Sequence, residues 1–374
     1  MARSVSRWVK PLQLTKRILK YRSGYRDLLF YPLSSILGGL NFLYTSWGGV
    51  RRSFYQKDIL KSKRLDAKVI SVGNIVAGGT GKTPLVTYLA ERLIRRGYTV
   101  AVLTRGYRRI LKDQTIFKGE DSDLNWQQVG DEPFLLSRRF PELIIGVSKD
   151  RYRCGEEIIS KFNPDVVILD DGFQHHQLNR DLNLVVLDSA SPFGGRLQLK
   201  RERKASLRFA DIVALNDTLG VGSLDPTIKE LKKLNPNAVV SVTAYRFSGI
   251  RNLDDNTPIP MEKVNAADLL AFSGIGNPLS FGTTLSRLEL KVKEHVVFRD
   301  HHRFDSKDHR RLVNRARQLG ATALITTEKD AVKFSGFDKS EMPVYYVTVE
   351  VEFLQGEAPL WEAIEKVMKN GNRE

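Results

Sequence analysis

The segment Gly73–Pro84 combines three closely spaced glycines with a Gly-Lys-Thr triplet. Backbone N–H groups of such a loop converge on phosphate oxygens, and the start of the following helix adds its positive end. Lys82 is then placed to reach the terminal phosphates of a nucleotide, and Thr83 to bind magnesium. Val76 stands where the strict pattern has its first glycine, so this is a variant P-loop. The pattern predicts a nucleotide site.

The elements around this loop decide between a phosphate cradle and an ordinary glycine-rich turn. The apolar run Lys68–Val72 predicts a buried strand before it. Apolar residues recur at helical spacing after it, at Leu85, Val86, Leu89, Leu93 and Ile94. A strand before the loop and a helix after it are the context that the P-loop interpretation requires.

A second acidic pattern follows another predicted strand. Asp170 and Asp171 come directly after Val166–Leu169. Carboxylates at the end of a buried strand can hold magnesium, directly or through water, against bound phosphates. Asp-Gly also makes an ordinary turn, but the combination with a P-loop favours a metal site.

Two further polar clusters have alternative interpretations. Asp131 and Glu132 lie where a loop enters a predicted helix, so they are either site residues or a helix N-terminal signal. His301 and His302 have no partner at zinc-finger spacing, and local sequence alone favours a surface or structural role.

From about residue 66, strands and helices alternate as in a parallel α/β sheet whose faces are both covered by helices. The fold prediction is a P-loop NTPase-like, mostly parallel sheet with a smaller C-terminal α/β domain. We predict three parts: an arm (1–64), a first unit (65–245) and a second unit (246–374), with 246–263 as connector. The further predicted strands are Thr99–Leu103, Leu143–Val147, Leu184–Leu187, Ile212–Leu215, Ala238–Ala244, Leu269–Phe272, Val292–Phe298, Ala323–Thr326 and Val344–Val347, and a helix is predicted over Lys307–Leu319.

The positive charge of the chain is concentrated in the arm. The net charge is +16, and residues 1–64 contribute +12, from fourteen Lys or Arg against two Asp. The arm encloses the apolar, aromatic stretch Leu28–Trp47, whose proline, serines and glycines make it a poor bilayer crossing. We expect helices lying on an anionic membrane surface, with packing on the protein's own core as the alternative. No nucleic-acid-binding signature accompanies the charge. The single cysteine, Cys154, excludes an internal disulfide framework.

The chain as a whole resembles the tetraacyldisaccharide 4′-kinase family of the lipid A pathway. Several separated motifs carry the resemblance between Gly73 and Lys333. They are Gly73-Asn74 with Gly78–Thr83, Arg105-Gly-Tyr107, Val129–Pro133, Asp170-Asp-Gly-Phe-Gln-His175, Arg201-Glu202, Ser273–Pro278, Asp300-His-His302 and Thr326–Asp330. Two departures are a shortened loop before Arg201, which lacks the family's Pro-Ala-Gly-Pro element, and Arg108 where the family commonly has glycine.

The resemblance implies transfer of the ATP γ-phosphate to the 4′-hydroxyl of an acylated glucosamine disaccharide 1-phosphate. It also implies that Asp131 is the general base, that His301 orients it, and that Lys82, Arg201 and Glu202 belong to the catalytic group. The implied nucleotide-binding residues are Asn74, Ala77, Gly78, Gly79, Thr80, Gly81, Lys82 and Thr83. The implied Mg²⁺ ligands are Thr83, Asp170 and Asp171.

The expected location is the cytoplasmic face of the bacterial inner membrane, with the protein peripheral and acting as a monomer that needs no protein or nucleic-acid partner. The alternative function is a membrane-associated P-loop ATPase or GTPase switch that phosphorylates no lipid. No convincing guanine-recognition signature supports a GTPase, because Leu215-Asn-Asp217 is too weak a match.

Overall fold

The computed structural model describes residues 45–119, 123–195, 198–334, 337 and 341–369. Within this part of the chain the strands are β1 Lys68–Gly73, β2 Val100–Thr104, β3 Thr115–Lys118, β4 Ile144–Val147, β5 Val166–Asp170, β6 Leu182–Asp188, β7 Ile212–Asn216, β8 Val239–Asn252, β9 Leu269–Ser273, β10 Val292–Val297, β11 Ala323–Thr327 and β12 Val344–Gln355.

The helices surround this sheet. They comprise residues 45–56, Lys82–Arg95, Trp126–Val129, Asp131–Arg139, Arg151–Phe162, Asp225–Leu234, Met261–Ala266, Pro278–Arg287, Ser306–Gln318, Glu328–Phe334 and Glu357–Lys369, with a 3₁₀ turn at Lys204–Phe209.

The described strands form one sheet in the order β10-β9-β11-β12-β8-β7-β6-β1-β5-β2-β4-β3. Neighbouring strands are parallel except for two antiparallel pairs, β3 with β4 and β8 with β12. The predicted mostly parallel sheet flanked by helices is therefore confirmed. β3 was not predicted, and it adds an antiparallel edge.

Both faces of the central strands are buried, which explains why their sequences are continuous apolar runs. Ile70 and Val72 of β1 pack on one face with Leu89 of the helix Lys82–Arg95. Val69, which precedes Ile70, faces the opposite side and packs with Ile158. The P-loop strand and its helix are thus fixed by packing on both sides of the sheet.

The predicted boundary near residue 246 falls inside a long strand. β8 pairs in parallel with β7 through residues 239–243 and then continues antiparallel to β12 as far as Asn252. The first part of the predicted connector 246–263 is therefore strand, because residues 246–252 pair with β12, with one shift of register at Ser248. Division of the folded part into two units, 65–245 and 246–374, remains a prediction.

The predicted arm lies mostly outside the described residues, since the structure describes it only from residue 45. Residues 45–56 are helical. Among the described helices, none combines the length and the apolar character that a bilayer crossing requires.

Candidate active site

The glycine loop between β1 and the helix Lys82–Arg95 is held in shape by Asn74. This side chain is fully buried, and its Nδ2 donates to the Val76 carbonyl (2.6 Å) and to Thr80 Oγ1 (3.1 Å). Val76 is also buried and packs in a hydrophobic cluster with Phe173. Val76, which stands at the position of the missing glycine, is thus held by an apolar contact. Asn74 supports the loop from below and does not line the cleft.

The residues between Val76 and the helix line the cleft as predicted. They are Ala77, Gly78, Gly79, Thr80 and Gly81, followed by Lys82 and Thr83. The Ala77 N–H donates to the Leu199 carbonyl (2.8 Å), so this amide is already engaged by the chain. Gly81 has a φ of 100°, a left-handed conformation that glycine adopts without strain.

A second loop approaches the glycine loop so closely that both need glycine. A Cβ on Gly79 would lie 2.8 Å from the Asn277 backbone nitrogen, and a Cβ on Gly276 would lie 2.5 Å from the Gly79 nitrogen. The Gly276 loop belongs to the predicted second unit. The cleft is therefore closed on one side by contact between the two predicted units.

Lys82 and the two aspartates meet at the carboxyl end of neighbouring strands. Val72 of β1 is paired with Asp170 of β5, and Asp171 follows in a left-handed conformation (φ 52°). Lys82 Nζ lies 3.7 Å from Asp171 Oδ1, and the Arg201 guanidinium forms an ion pair with the same oxygen. Strained backbone of this kind concentrates at functional sites.

The two aspartates differ in acidity. Burial raises the pKa of Asp170 to about 7, helped by the nearby charges of Glu132 and Asp171. Burial also raises the pKa of Asp171, but the cations Lys82 and Arg201 outweigh it and hold that pKa at about 2. Asp171 is therefore ionised at neutral pH, whereas Asp170 holds a proton more readily than an ordinary aspartate.

The oxygen donors of the cleft fit a magnesium ion whose coordination is completed by phosphate oxygens. Thr83, Asp170 and Asp171 all line the cleft and offer only oxygen atoms, which Mg²⁺ prefers. In the described part of the chain, no three His, Cys, Asp or Glu side chains form a self-sufficient metal cluster. Mg²⁺ commonly keeps few protein ligands and is held with substrate phosphates.

Glu132 joins Thr83 to the second unit. Its Oε1 accepts hydrogen bonds from Thr83 Oγ1 (3.0 Å) and from Lys329 Nζ (2.8 Å). Lys329 lies at the start of the helix Glu328–Phe334, directly after β11. With its proton directed to Glu132, the Thr83 hydroxyl keeps its lone pairs for another partner.

Asp131 and His301 form a pair across the two predicted units. His301 Nδ1 lies 2.9 Å from Asp131 Oδ2, although 170 positions separate the residues in the chain. His301 has a left-handed backbone (φ 54°), and the Tyr107 ring lies 4.9 Å from its imidazole. His301 lines the cleft, whereas Asp131 lies behind it and is 6 % exposed.

Cations surround Asp131. Lys329 Nζ and Lys333 Nζ each lie 3.9 Å from Asp131 Oδ2. Burial raises the pKa of Asp131, but the hydrogen bond with His301 and these ammonium groups outweigh it, so the pKa lies well below its usual range. Asp131 is therefore a carboxylate at neutral pH.

Arg201 and Glu202 have separate environments. Arg201 lines the cleft beside Asp171. Glu202 is buried, and both its carboxylate oxygens accept hydrogen bonds of 2.6 Å from Arg52. Glu202 does not line the cleft, and through Arg52 it anchors the helix 45–56. Its place in the catalytic group stays a prediction.

Several site residues lacked a predicted role. Lys329 and Lys333 lie in or just after the Thr326–Asp330 motif, where a strand followed by charged residues was the available signal. Arg151, which donates to the carbonyls of Asp170 and Asp171 (3.2 Å each), had no local signal. Lys329 and Arg151 line the cleft, which has a volume of about 1030 Å³.

Comparison with known proteins adds independent evidence. Residues 33–369 match the family described as tetraacyldisaccharide-1-P 4′-kinase. The tetraacyldisaccharide 4′-kinase of Syntrophus aciditrophicus is 33% identical over 358 residues, covering 91% of this chain and 94% of that protein. That of Syntrophobacter fumaroxidans is 38% identical over 293 residues, covering 77% and 75%.

A solved structure gives the same result. LpxK from Aquifex aeolicus, crystallised in complex with ATP, superposes with a TM-score of 0.69 at 29% identity, and the match covers 90% of this chain and 99% of that one. The chain therefore belongs to the tetraacyldisaccharide-1-P 4′-kinase family.

Proposed function

We propose that this protein transfers the γ-phosphate of ATP to the 4′-hydroxyl of an acylated glucosamine disaccharide 1-phosphate in lipid A biosynthesis. The observation that carries the proposal is a single cleft lined by Lys82 of the P-loop and by His301, with Asp131 hydrogen-bonded to His301 directly behind it. A sugar kinase requires a binding site for the phosphate donor and a carboxylate near the acceptor hydroxyl.

The acceptor hydroxyl is a weak nucleophile near neutral pH, so a positioned base should take its proton as the new P–O bond forms. We assign this role to the Asp131–His301 pair. The negative charge of the Asp131 carboxylate balances the positive charge of the proton that the pair accepts. The acceptor oxygen bonds to the γ-phosphorus, the bond from that phosphorus to the β–γ bridging oxygen breaks, and ADP leaves.

The cationic side chains of the cleft supply the electrostatic part of the reaction. Lys82 neutralises charge on the β- and γ-phosphates, and Arg201 holds Asp171 in place. Thr83, Asp170 and Asp171 would hold Mg²⁺, which supplies further neutralisation of the phosphate oxygens when bound. Glu132 keeps the Thr83 hydroxyl oriented.

We further propose that the protein acts as a peripheral monomer at the cytoplasmic face of the inner membrane. Three large apolar side chains of the helix 45–56 are exposed to solvent: Trp47, Val50 and Phe54. Together with the basic residues of the arm, they suit an anionic bilayer surface. An insoluble acceptor is met more often by an enzyme held at that surface.

The deciding experiment supplies purified protein with Mg²⁺, ATP labelled at the γ-position and the detergent-dispersed disaccharide. Label in the glycolipid is the expected result. Label released only as free phosphate, at equal rates with and without glycolipid, would instead identify an ATPase switch. Deletion of residues 1–64 should weaken binding to anionic vesicles, and unchanged partitioning would place the membrane contact elsewhere.

A further inference from the structure

The helix 45–56 has an unusual pattern of burial. Its large apolar residues Trp47, Val50 and Phe54 are exposed, and among its twelve residues the buried ones are Thr45 and Arg52. None of these twelve residues belongs to a buried hydrophobic cluster in the described part of the chain. A polar side chain therefore makes the principal buried contact between this helix and the folded core.

Arg52 fills a pocket built for a guanidinium group. Its Cζ lies 4.5 Å from the centre of the Phe173 ring and 4.8 Å from that of Phe209. Its Nη2 donates to both carboxylate oxygens of Glu202 (2.6 Å each) and to the Phe173 carbonyl (3.4 Å). Stacking on two aromatic faces combined with a carboxylate partner suits the planar guanidinium group better than a lysine ammonium group.

The pocket lies directly behind the phosphate-binding and acidic loops. Glu202 follows Arg201, whose guanidinium pairs with Asp171, and Phe173 lies two positions after that aspartate. The backbone nitrogens of Arg201 and Glu202 donate to the Ile75 carbonyl (2.8 and 3.2 Å), at the start of the P-loop. Arg52 thus joins the helix to the segment that supports both loops.

We propose that the Arg52–Glu202 pair is the joint that fixes the membrane-facing helix 45–56 against the cleft, so that a bilayer-held acceptor is presented to the phosphate donor. Both residues are positioning residues, because neither touches the reacting atoms. The proposal rests on the kinase function proposed above. It gives Glu202 a role distinct from that of its neighbour Arg201, which contacts the acidic loop of the cleft itself.

The chemistry of the joint gives a matched set of variants. Removing one partner of a buried ion pair leaves the other charge buried and unpaired, which is strongly destabilising, whereas replacing both by apolar side chains is often nearly neutral. Arg52→Met alone should therefore release the helix, and Arg52→Met with Glu202→Met should reseat it. Arg64→Gln is the control, since Arg64 forms an exposed pair with Asp181 (3.4 Å) in the same region.

The first readout needs no catalysis. Amide hydrogen exchange over residues 45–56 should become faster in Arg52→Met, because the helix opens locally, and return towards wild-type rates in the double variant. Exchange in β1 and in the helix Lys82–Arg95 should stay unchanged in all variants. Unchanged exchange over 45–56 in Arg52→Met would overturn the joint, whatever the activity of the protein.

The second readout is kinetic, with the acceptor presented in anionic vesicles. Arg52→Met should raise the KM for the glycolipid on the order of tenfold or more, with the KM for ATP and vesicle partitioning unchanged. The double variant should recover most of the loss, and Arg64→Gln should match wild type. Equal effects on both KM values would mean general damage to the fold and would overturn the proposal. If the wild type labelled no glycolipid, the proposed function would fail, and the exchange experiment would still decide the joint.

Discussion

The two sides of the cleft are built in different ways. The phosphate side comes from one short stretch of chain, Gly78–Thr83, fixed between a buried strand and its helix. The proton-accepting side is assembled from Asp131 in the first predicted unit and His301, Lys329 and Lys333 in the second. Loss of a side chain on the proton-accepting side should therefore spare nucleotide binding, whereas transfer should be impaired.

The largest expected effect on ATP binding comes from the phosphate side. Lys82→Met removes the ammonium group directed at the terminal phosphates, and loss of one such preorganised group costs on the order of 10²–10³-fold in kcat. Because Lys82 also contacts the ground-state nucleotide, ATP affinity should fall as well. Steady-state kinetics and calorimetric ATP titration of the same sample check both. Normal ATP affinity in this variant would contradict the assignment of the loop.

A smaller effect on kcat is expected from His301, on the proton-accepting side. His301→Gln removes the imidazole that bonds to the Asp131 carboxylate, and a hydrogen bond to a charged group contributes about 1.5–3 kcal/mol. That range corresponds to roughly tenfold to hundredfold in kcat. ATP affinity should be unchanged, since His301 lies on the proton-accepting side. A parallel loss of ATP affinity would show that the two sides are not separable.

Contacts between the two predicted units should also contribute to the free energy of unfolding. Lys329→Met removes the ammonium group that donates to Glu132 across the units, at a cost of about 1.5–3 kcal/mol in the free energy of unfolding. Arg317→Met is the matched control within the second unit, because its exposed pair with Glu341 should contribute less than about 1 kcal/mol. Denaturant unfolding compares the two. Equal losses would argue against a special role for the contact between the units.

Three partly or fully buried histidines make the free energy of unfolding depend on pH. Burial lowers the pKa of His175 to about 4, of His176 to about 3 and of His295 to about 4. Each folded pKa lies below the unfolded value near 6.5, so the stability from these neutral side chains is present above pH 6.5 and is lost as the pH falls towards 4. Each contributes at most about 1.4 kcal/mol per pH unit.

Thermal unfolding between pH 7 and pH 5 measures this slope. His176→Gln should reduce the slope of stability against pH, because one of the three histidines that take up a proton on unfolding is removed. A slope unchanged from wild type would show that His176 is not buried as a neutral group. His175 and His176 follow β5 in the first unit, and His295 lies in β10, so His295→Gln tests the second unit in the same way.

Signals that are local in the sequence explain which parts of the site and of the fold could be predicted. The glycine loop and the Asp170-Asp171 pair are continuous in the chain, so strand, loop and helix signals located them. β3 escaped because Thr115–Lys118 is only four residues long and partly exposed, without the apolar run of a central strand. The predicted boundary near 246 falls inside a strand because β8 continues beyond the core, where partly buried and exposed residues alternate over 245–249.

Contacts between distant residues set the limit of that prediction. The pairing of Asp131 with His301 came from family resemblance, because no local signal joins residues 170 positions apart. Lys329, Lys333 and Arg151 act through tertiary contacts, and the Arg52–Glu202 pair joins residues 150 positions apart. Neither charge pattern nor periodicity specifies such partners, since both describe only neighbours along the chain.

Asp131→Asn tests the central claim most directly. The variant keeps the size of the side chain but removes the carboxylate, and loss of general-base catalysis costs about 10²–10⁴-fold. One sample should be measured both for equilibrium binding of ATP and for transfer of γ-label to the glycolipid. We predict ATP affinity equal to wild type with transfer almost abolished; near-normal transfer, or ATP affinity lost in proportion to transfer, would contradict the account.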